Sequence, residues 1–94
     1  MLSQMPVDFT KVPKQNLNKE ILRAAIIAEL DAINLYEQMA ALTDDGDIKK
    51  VLLDIAREEK THVGEFQTML LRLDAEQVKE MDHAKAEIKE LTGK

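Results

Sequence analysis

Two stripes that step alternately by four and three residues constrain this 94-residue chain more than any other feature. The first runs Leu22, Ile26, Glu29, Ile33, Tyr36, Ala40. The second runs Ile48, Leu52, Ile55, Glu59, His62, Phe66, Met69, Leu73. Steps averaging close to 3.6 keep side chains on one face of an α-helix, so each stripe marks a helix with a packed side. The stretch between them, TDDGD at 43–47, has room only for a turn, with Asp47 as the cap of the second helix. Two long helices joined so tightly lie antiparallel. The first is expected from an N-cap at Asn18 to about Leu42, the second over about 48–73. Asp74 then reads as a fresh N-cap, with Gln77 completing a capping box. A third, shorter helix continues to about Leu91, with Val78, Met81, Ala84, Ile88 and Leu91 on one side.

The expected fold is therefore all-α: an antiparallel two-helix hairpin plus a short C-terminal helix. Scarce aromatics (3%), three glycines and two prolines agree with helices rather than a sheet. Residues 1–17, with Pro6 and Pro13 and no periodicity, read as an extended N-terminal arm whose Val7, Phe9 and Val12 could dock on a neighbour; residues 18–94 form the helical domain. Each long helix has a second apolar side that one short helix cannot cover. Pairing with another copy into a four-helix bundle buries it, so the chain is expected to be an obligate dimer. The formal net charge of -5 argues against nucleic acid as a partner. No apolar run reaches the roughly 20 residues needed to span a bilayer, and the first residues lack the pattern of a secretory signal. With no cysteine, disulfides, thiolate metal sites and cysteine nucleophiles are excluded.

Both stripes are interrupted at mid-length by residues that do not belong in an oily seam. In a hairpin turning near Asp45, facing positions sum to about 90, which sets Glu29 level with Glu59 and His62. Burying a carboxylate without a partner costs several kcal/mol, and one histidine cannot neutralise two acids. Arg57 and Lys60 fall on other faces of the second helix. A divalent metal fits the charge, and carboxylate oxygens with an imidazole nitrogen suit Fe, Mn or Zn better than Ca or Mg. Glu59 and His62, three apart, project to one side and can share one ion. A Glu from each of two helices and a Glu-x-x-His from each of two others make up the ligand set of di-iron carboxylate bundles. This chain holds each once, so two chains would complete both the set and the bundle. Blander readings stand beside this: Glu29 reaching water, His62 as a hydrogen-bonded core histidine, and a metal-free helical adaptor whose polar layer sets register. Tyr36 lies near the proposed metals and is a candidate for a role beside them. Asp31, Asn34, Asp54 and Glu58 read as solvated, His83 as a surface residue, and Met39, Met69 and Met81 as core filling.

The segments AIIAELDAINLYEQMA and LLDIAREEKTHVGEF resemble the encapsulated ferritins, the ferritin-like cargo of encapsulin nanocompartments, and the resemblance extends from about Ile21 to Leu91. It implies a four-helix-bundle dimer with a di-iron ferroxidase centre at the subunit interface. Glu29, Glu59 and His62 of both chains would be the iron ligands, with Tyr36 beside them. It further implies an open ring of five dimers that passes oxidised iron to an encapsulin shell, inside a compartment in the cytoplasm. Another di-metal oxidase or a peroxide-scavenging protein is the neighbouring possibility. The acids and Trp that build a separate iron-uptake site in some bacterial members correspond here to Ala28, Asp31 and Leu35, so only Asp31 matches. The C-terminal KAEIKELTGK does not resemble a shell-targeting peptide and is more like the archaeal version, in which the domain is fused ahead of the shell protein.

Overall fold

The computed structural model of the chain describes residues 8–94, so the docking role expected for Val7 lies outside the described residues. From Asp8 to Asn16 the chain forms two single-turn 3-10 helices, Phe9–Lys11 and Lys14–Asn16. Asp8 initiates the first by accepting hydrogen bonds from the Thr10 N–H at 3.0 Å and the Thr10 hydroxyl at 2.6 Å. The described part of the arm is thus turned rather than extended.

Helix α1 spans Leu17–Leu42, α2 Gly46–Leu73 and α3 Ala75–Thr92. At ~1.5 Å per residue α1 and α2 are about 40 Å long and α3 about 27 Å. Helix α1 begins one residue before the expected Asn18 cap; Asn16 holds the cap position and its side chain makes no capping bond. At the hairpin turn Asp45, not Asp47, caps α2, its carboxylate accepting from the N–H groups of Asp47 and Ile48 at 2.9 and 3.1 Å. Helix α3 ends on Gly93, whose φ of 76° is the left-handed conformation that glycine adopts without strain.

Helices α1 and α2 pack along nearly their whole length, while α3 meets the hairpin only around its beginning. The radius of gyration is 16.8 Å, against about 12 Å for a compact domain of this size. The buried apolar core is correspondingly small: Ala24, Ile33 and Ala40 from α1, Ala56 and Leu70 from α2, and none from α3. Large apolar side chains stay exposed, among them Ile27, Leu30, Ile48, Val51, Met69, Leu73, Ile88 and Leu91.

The contact seam of α2 is not quite the stripe read from the sequence. Leu52, Ile55, Glu59 and Phe66 are half-buried as expected, but Ala56, Val63 and Leu70 join them in the seam. Ile48, His62, Met69 and Leu73 lie on the open flank. No helix among the described residues is long and apolar enough to cross a membrane.

Candidate metal centre

The antiparallel register brings Glu29 of α1 level with the Glu59–His62 pair of α2. His62 Nδ1 lies 3.5 Å from Glu29 Oε2 and 3.4 Å from Glu59 Oε2. One ligand-type atom from each residue falls within 4.8 Å of the other two, a spacing that admits a single ion among them. The Glu29 and Glu59 side chains are each 19% exposed, whereas that of His62 is 45% exposed. The trio therefore sits at the edge of the hairpin, closed by the two helices on one side and open on the flank of Met69 and Val51.

Glu29 Oε2 is buried and has no hydrogen-bond partner. A carboxylate oxygen left so is costly unless a cation or a donor completes it. The nearby bases do not serve. Lys60 Nζ pairs with Glu37 at 3.0 Å, and Arg57 turns back on Asp54, holding that carboxyl below its usual range. Two carboxylates and an imidazole with one unsatisfied oxygen thus fit a divalent transition metal by donor type, and leave coordination positions open.

Tyr36 is half-buried two turns along α1 from Glu29 and is not hydrogen-bonded to the trio. Of the four polar residues expected in solvent, Asn34, Asp54 and Glu58 are exposed, but Asp31 is half-buried and engaged in an interaction. His83 is on the surface, its ring between Glu80 at 3.4 Å and Glu87 at 3.3 Å. Sequence patterns did not reveal the cross-helix pairs Arg23–Asp74, at 2.8 Å, and Glu37–Lys60, which join positions outside the apolar stripes.

The rubrerythrin family matches over residues 20–93. The ferritin-like-encapsulin shell fusion protein of Pyrococcus furiosus is 66% identical over 74 residues, 79% of this chain and 21% of that protein. The encapsulin nanocompartment cargo protein EncC of Myxococcus xanthus is 41% identical over 69 residues, 70% of this chain and 53% of that protein. The chain therefore spans about a fifth and about half of these two relatives. The crystal structure of the encapsulated ferritin domain from Pyrococcus furiosus superimposes with a TM-score of 0.85 at 55% identity, covering 100% of this chain and 98% of that one. This chain belongs to the rubrerythrin family and has the ferritin-like fold of the encapsulated ferritin domain it superimposes on.

Proposed function

We propose that the protein is a ferroxidase, taking Fe(II) as substrate at a two-iron centre shared between two subunits. The observation that carries this is the buried Glu29 Oε2, which accepts no hydrogen bond, beside Glu59 and His62 on a side of the hairpin that exposes large apolar residues. One chain supplies one Glu and one Glu-x-x-His; a second copy related by a two-fold axis supplies the same again, giving the full ligand set of a di-iron bundle. The same copy would cover Ile48, Val51, Met69 and Leu73, apolar surface that a lone soluble chain rarely leaves exposed.

In this reading Glu29, Glu59 and His62 of both chains would hold the irons, which would supply the electrons that reduce O2. Four carboxylates at a poorly hydrated interface favour the more highly charged product, so they assist transfer of one electron from each Fe(II) to O2. Tyr36 stands two turns away and would act on the centre's surroundings rather than bind iron. By likeness to relatives named as an encapsulin shell fusion and an encapsulin cargo protein, it would work inside an encapsulin shell in the cytoplasm; the family resemblance implies a ring of five dimers, with residues 18–94 as the working domain. A hairpin this open has no interior in which to hold a mineral, so Fe(III) would pass to that shell for storage.

The test is oxidation of Fe(II) at one or two equivalents per dimer, followed by stopped-flow absorbance and oxygen uptake, with metal analysis of the protein as purified. Rapid oxidation at the expense of O2 supports the reading. Consumption of H2O2 in its place would point to a peroxide scavenger, and protein that neither binds nor oxidises iron would be a metal-free adaptor. A large excess of Fe(II) should give light-scattering ferric precipitate without a shell, and clear solutions with one.

A further inference from the structure

The segment LLRLDAEQVKE, residues 70–80, contains no glycine and no proline. Leu, Arg, Ala, Glu, Gln and Lys are among the strongest helix formers, so on intrinsic preference this stretch should run through as one helix. Instead α2 stops at Leu73 and α3 starts at Ala75. The whole interruption is a single residue, Asp74, whose φ of -127° and ψ of 84° take it out of the helical region.

The contacts of that residue explain the break. One carboxylate oxygen accepts from the Gln77 N–H at 3.0 Å, and the Asp74 carbonyl accepts from the Val78 N–H at 3.2 Å, so Asp74 is a complete N-cap for α3. The other carboxylate oxygen accepts from Arg23 Nη2 of α1 at 2.8 Å. Among the described residues Asp74 is the one buried charged residue, 7% exposed. A cap alone could form at many angles; the reach to Arg23 pins this one against the first helix. Little else can do so, because α3 buries no residue, and Leu73 and Val78 on either side of the corner are both partly open.

We propose that the α2–α3 corner is a one-residue conformational device: Asp74 keeps two helices from fusing and, through Arg23, aims the apolar stripe of α3. That stripe, Val78, Met81, Ile88 and Leu91, is largely exposed, so its direction decides which neighbouring surface it can meet. Without the carboxylate, residues 46–92 would form one rod about 70 Å long, against a present longest extent of 46 Å.

The chain has no native cysteine, which makes site-directed spin labelling clean. Labels on Lys49→Cys and Glu90→Cys, diluted into unlabelled full-length chains, report the angle by double electron–electron resonance. A fused helix sets the two backbone sites about 60 Å apart, and any corner brings them closer. Asp74→Ala should shift the distance to the long value with helicity by circular dichroism retained or raised. Asp74→Gln, a helix former of similar polarity but a poor cap, should do the same. Asp74→Asn keeps the cap and should stay short; Arg23→Ala should broaden the short distribution without abolishing it. A short distance retained in both the Ala and Gln variants would overturn the proposal. So would a loss of helicity in both, or a full shift to the long distance in the Asn variant.

Discussion

The hairpin and α3 are made of similar helix-forming sequence, yet they are held in different ways. The hairpin has a seam: Ala24, Ile33 and Ala40 of α1 and Ala56 and Leu70 of α2 are buried, with Glu29 and Glu59 at mid-length. Helix α3 buries nothing and is fastened through one carboxylate at its first turn. Periodic burial therefore fixes the part of the molecule that brings Glu29, Glu59 and His62 together. The part that turns outward is aimed by polar contacts and carries its apolar residues in the open.

The largest effects should come from the acids placed inside the seam. Glu59→Ala or His62→Ala would remove a ligand from both halves of the proposed shared centre and should slow Fe(II) oxidation by more than ~100-fold, with the helical circular dichroism unchanged. Glu29→Gln sharpens the contrast between function and stability. It should also lose rapid oxidation, yet melt at the same or a higher temperature in metal-free protein at a pH where His62 is neutral, because it takes out of the fold a carboxylate whose buried oxygen accepts no hydrogen bond. Parent rates in the Glu59 or His62 variants would remove the proposed centre. A marked fall in melting temperature for metal-free Glu29→Gln would show that the carboxylate has a partner in solution.

A second contrast compares two leucines. Leu70 is 6% exposed in the hairpin seam, and Leu91 is 80% exposed near the end of α3. Leu70→Ala should cost about 2–5 kcal/mol, which in a domain this small lowers the melting temperature by more than ~10 °C. Leu91→Ala should stay within about 0.5 kcal/mol. Thermal melts of both variants over a range of protein concentrations decide it. A comparable loss for Leu91→Ala, greatest at high concentration, would mean that α3 finds a covering partner and that the difference between the regions vanishes in the assembly.

How far the sequence discloses this arrangement depends on which force sets each feature. Helix number, the turn, and the level meeting of Glu29 with Glu59 and His62 follow from period and length, which are local. The α2 seam shows the limit. Leu52, Glu59 and Phe66 anchor two equally good stripes, one completed by Ile55, His62 and Met69, the other by Ala56, Val63 and Leu70. Both step by four and three, and only tertiary packing shows that the second faces α1 and leaves His62 at the rim. The cap at Asp45 rather than Asp47 was similarly hidden, because three aspartates crowd one turn and backbone geometry chooses among them. Asp74 was legible as a cap from its spacing to Gln77. Its partner Arg23, 51 positions away, was not, since no periodic signal links the two.

Acid should distinguish the regions next. The Gln77 N–H, helped by Arg23 and Lys19, holds the Asp74 carboxyl below its ordinary value near 3.8. A folded-state value below the unfolded one means that Asp74 contributes stability at neutral pH. That contribution is complete above about pH 4 and is lost as pH falls through the depressed folded value. Melting temperature followed from pH 6 to pH 3 should decline at the acid end in the parent chain. The decline should be shallower in Asp74→Asn, which has no carboxyl to protonate. Identical slopes in the two proteins would show that the corner carboxylate is not linked to stability.

The smallest expected effect belongs to the other cross-helix pair. Lys60 and Glu37 meet at 3.0 Å, but their side chains are 59% and 46% exposed, so water screens the attraction and Lys60→Ala should cost only about 0.2–1 kcal/mol. The pair's placement carries more information than its strength. Arg23 and Glu37 stand two heptads apart on α1, and their partners Asp74 and Lys60 stand two heptads apart on α2, with the signs reversed. An acid placed at position 60 would face Glu37, setting two like charges against each other across the helices. Lys60→Glu should therefore cost more than Lys60→Ala, and adding Glu37→Lys should restore most of the loss. Both differences should shrink in high salt, as expected of charges in contact with solvent. Melts of the two single variants and the double swap, at low and high ionic strength, measure this directly. Should Lys60→Glu cost as much as Leu70→Ala, the hairpin would depend on its charges as heavily as on its seam, and the division between buried and polar fastening would fail where it is drawn most firmly.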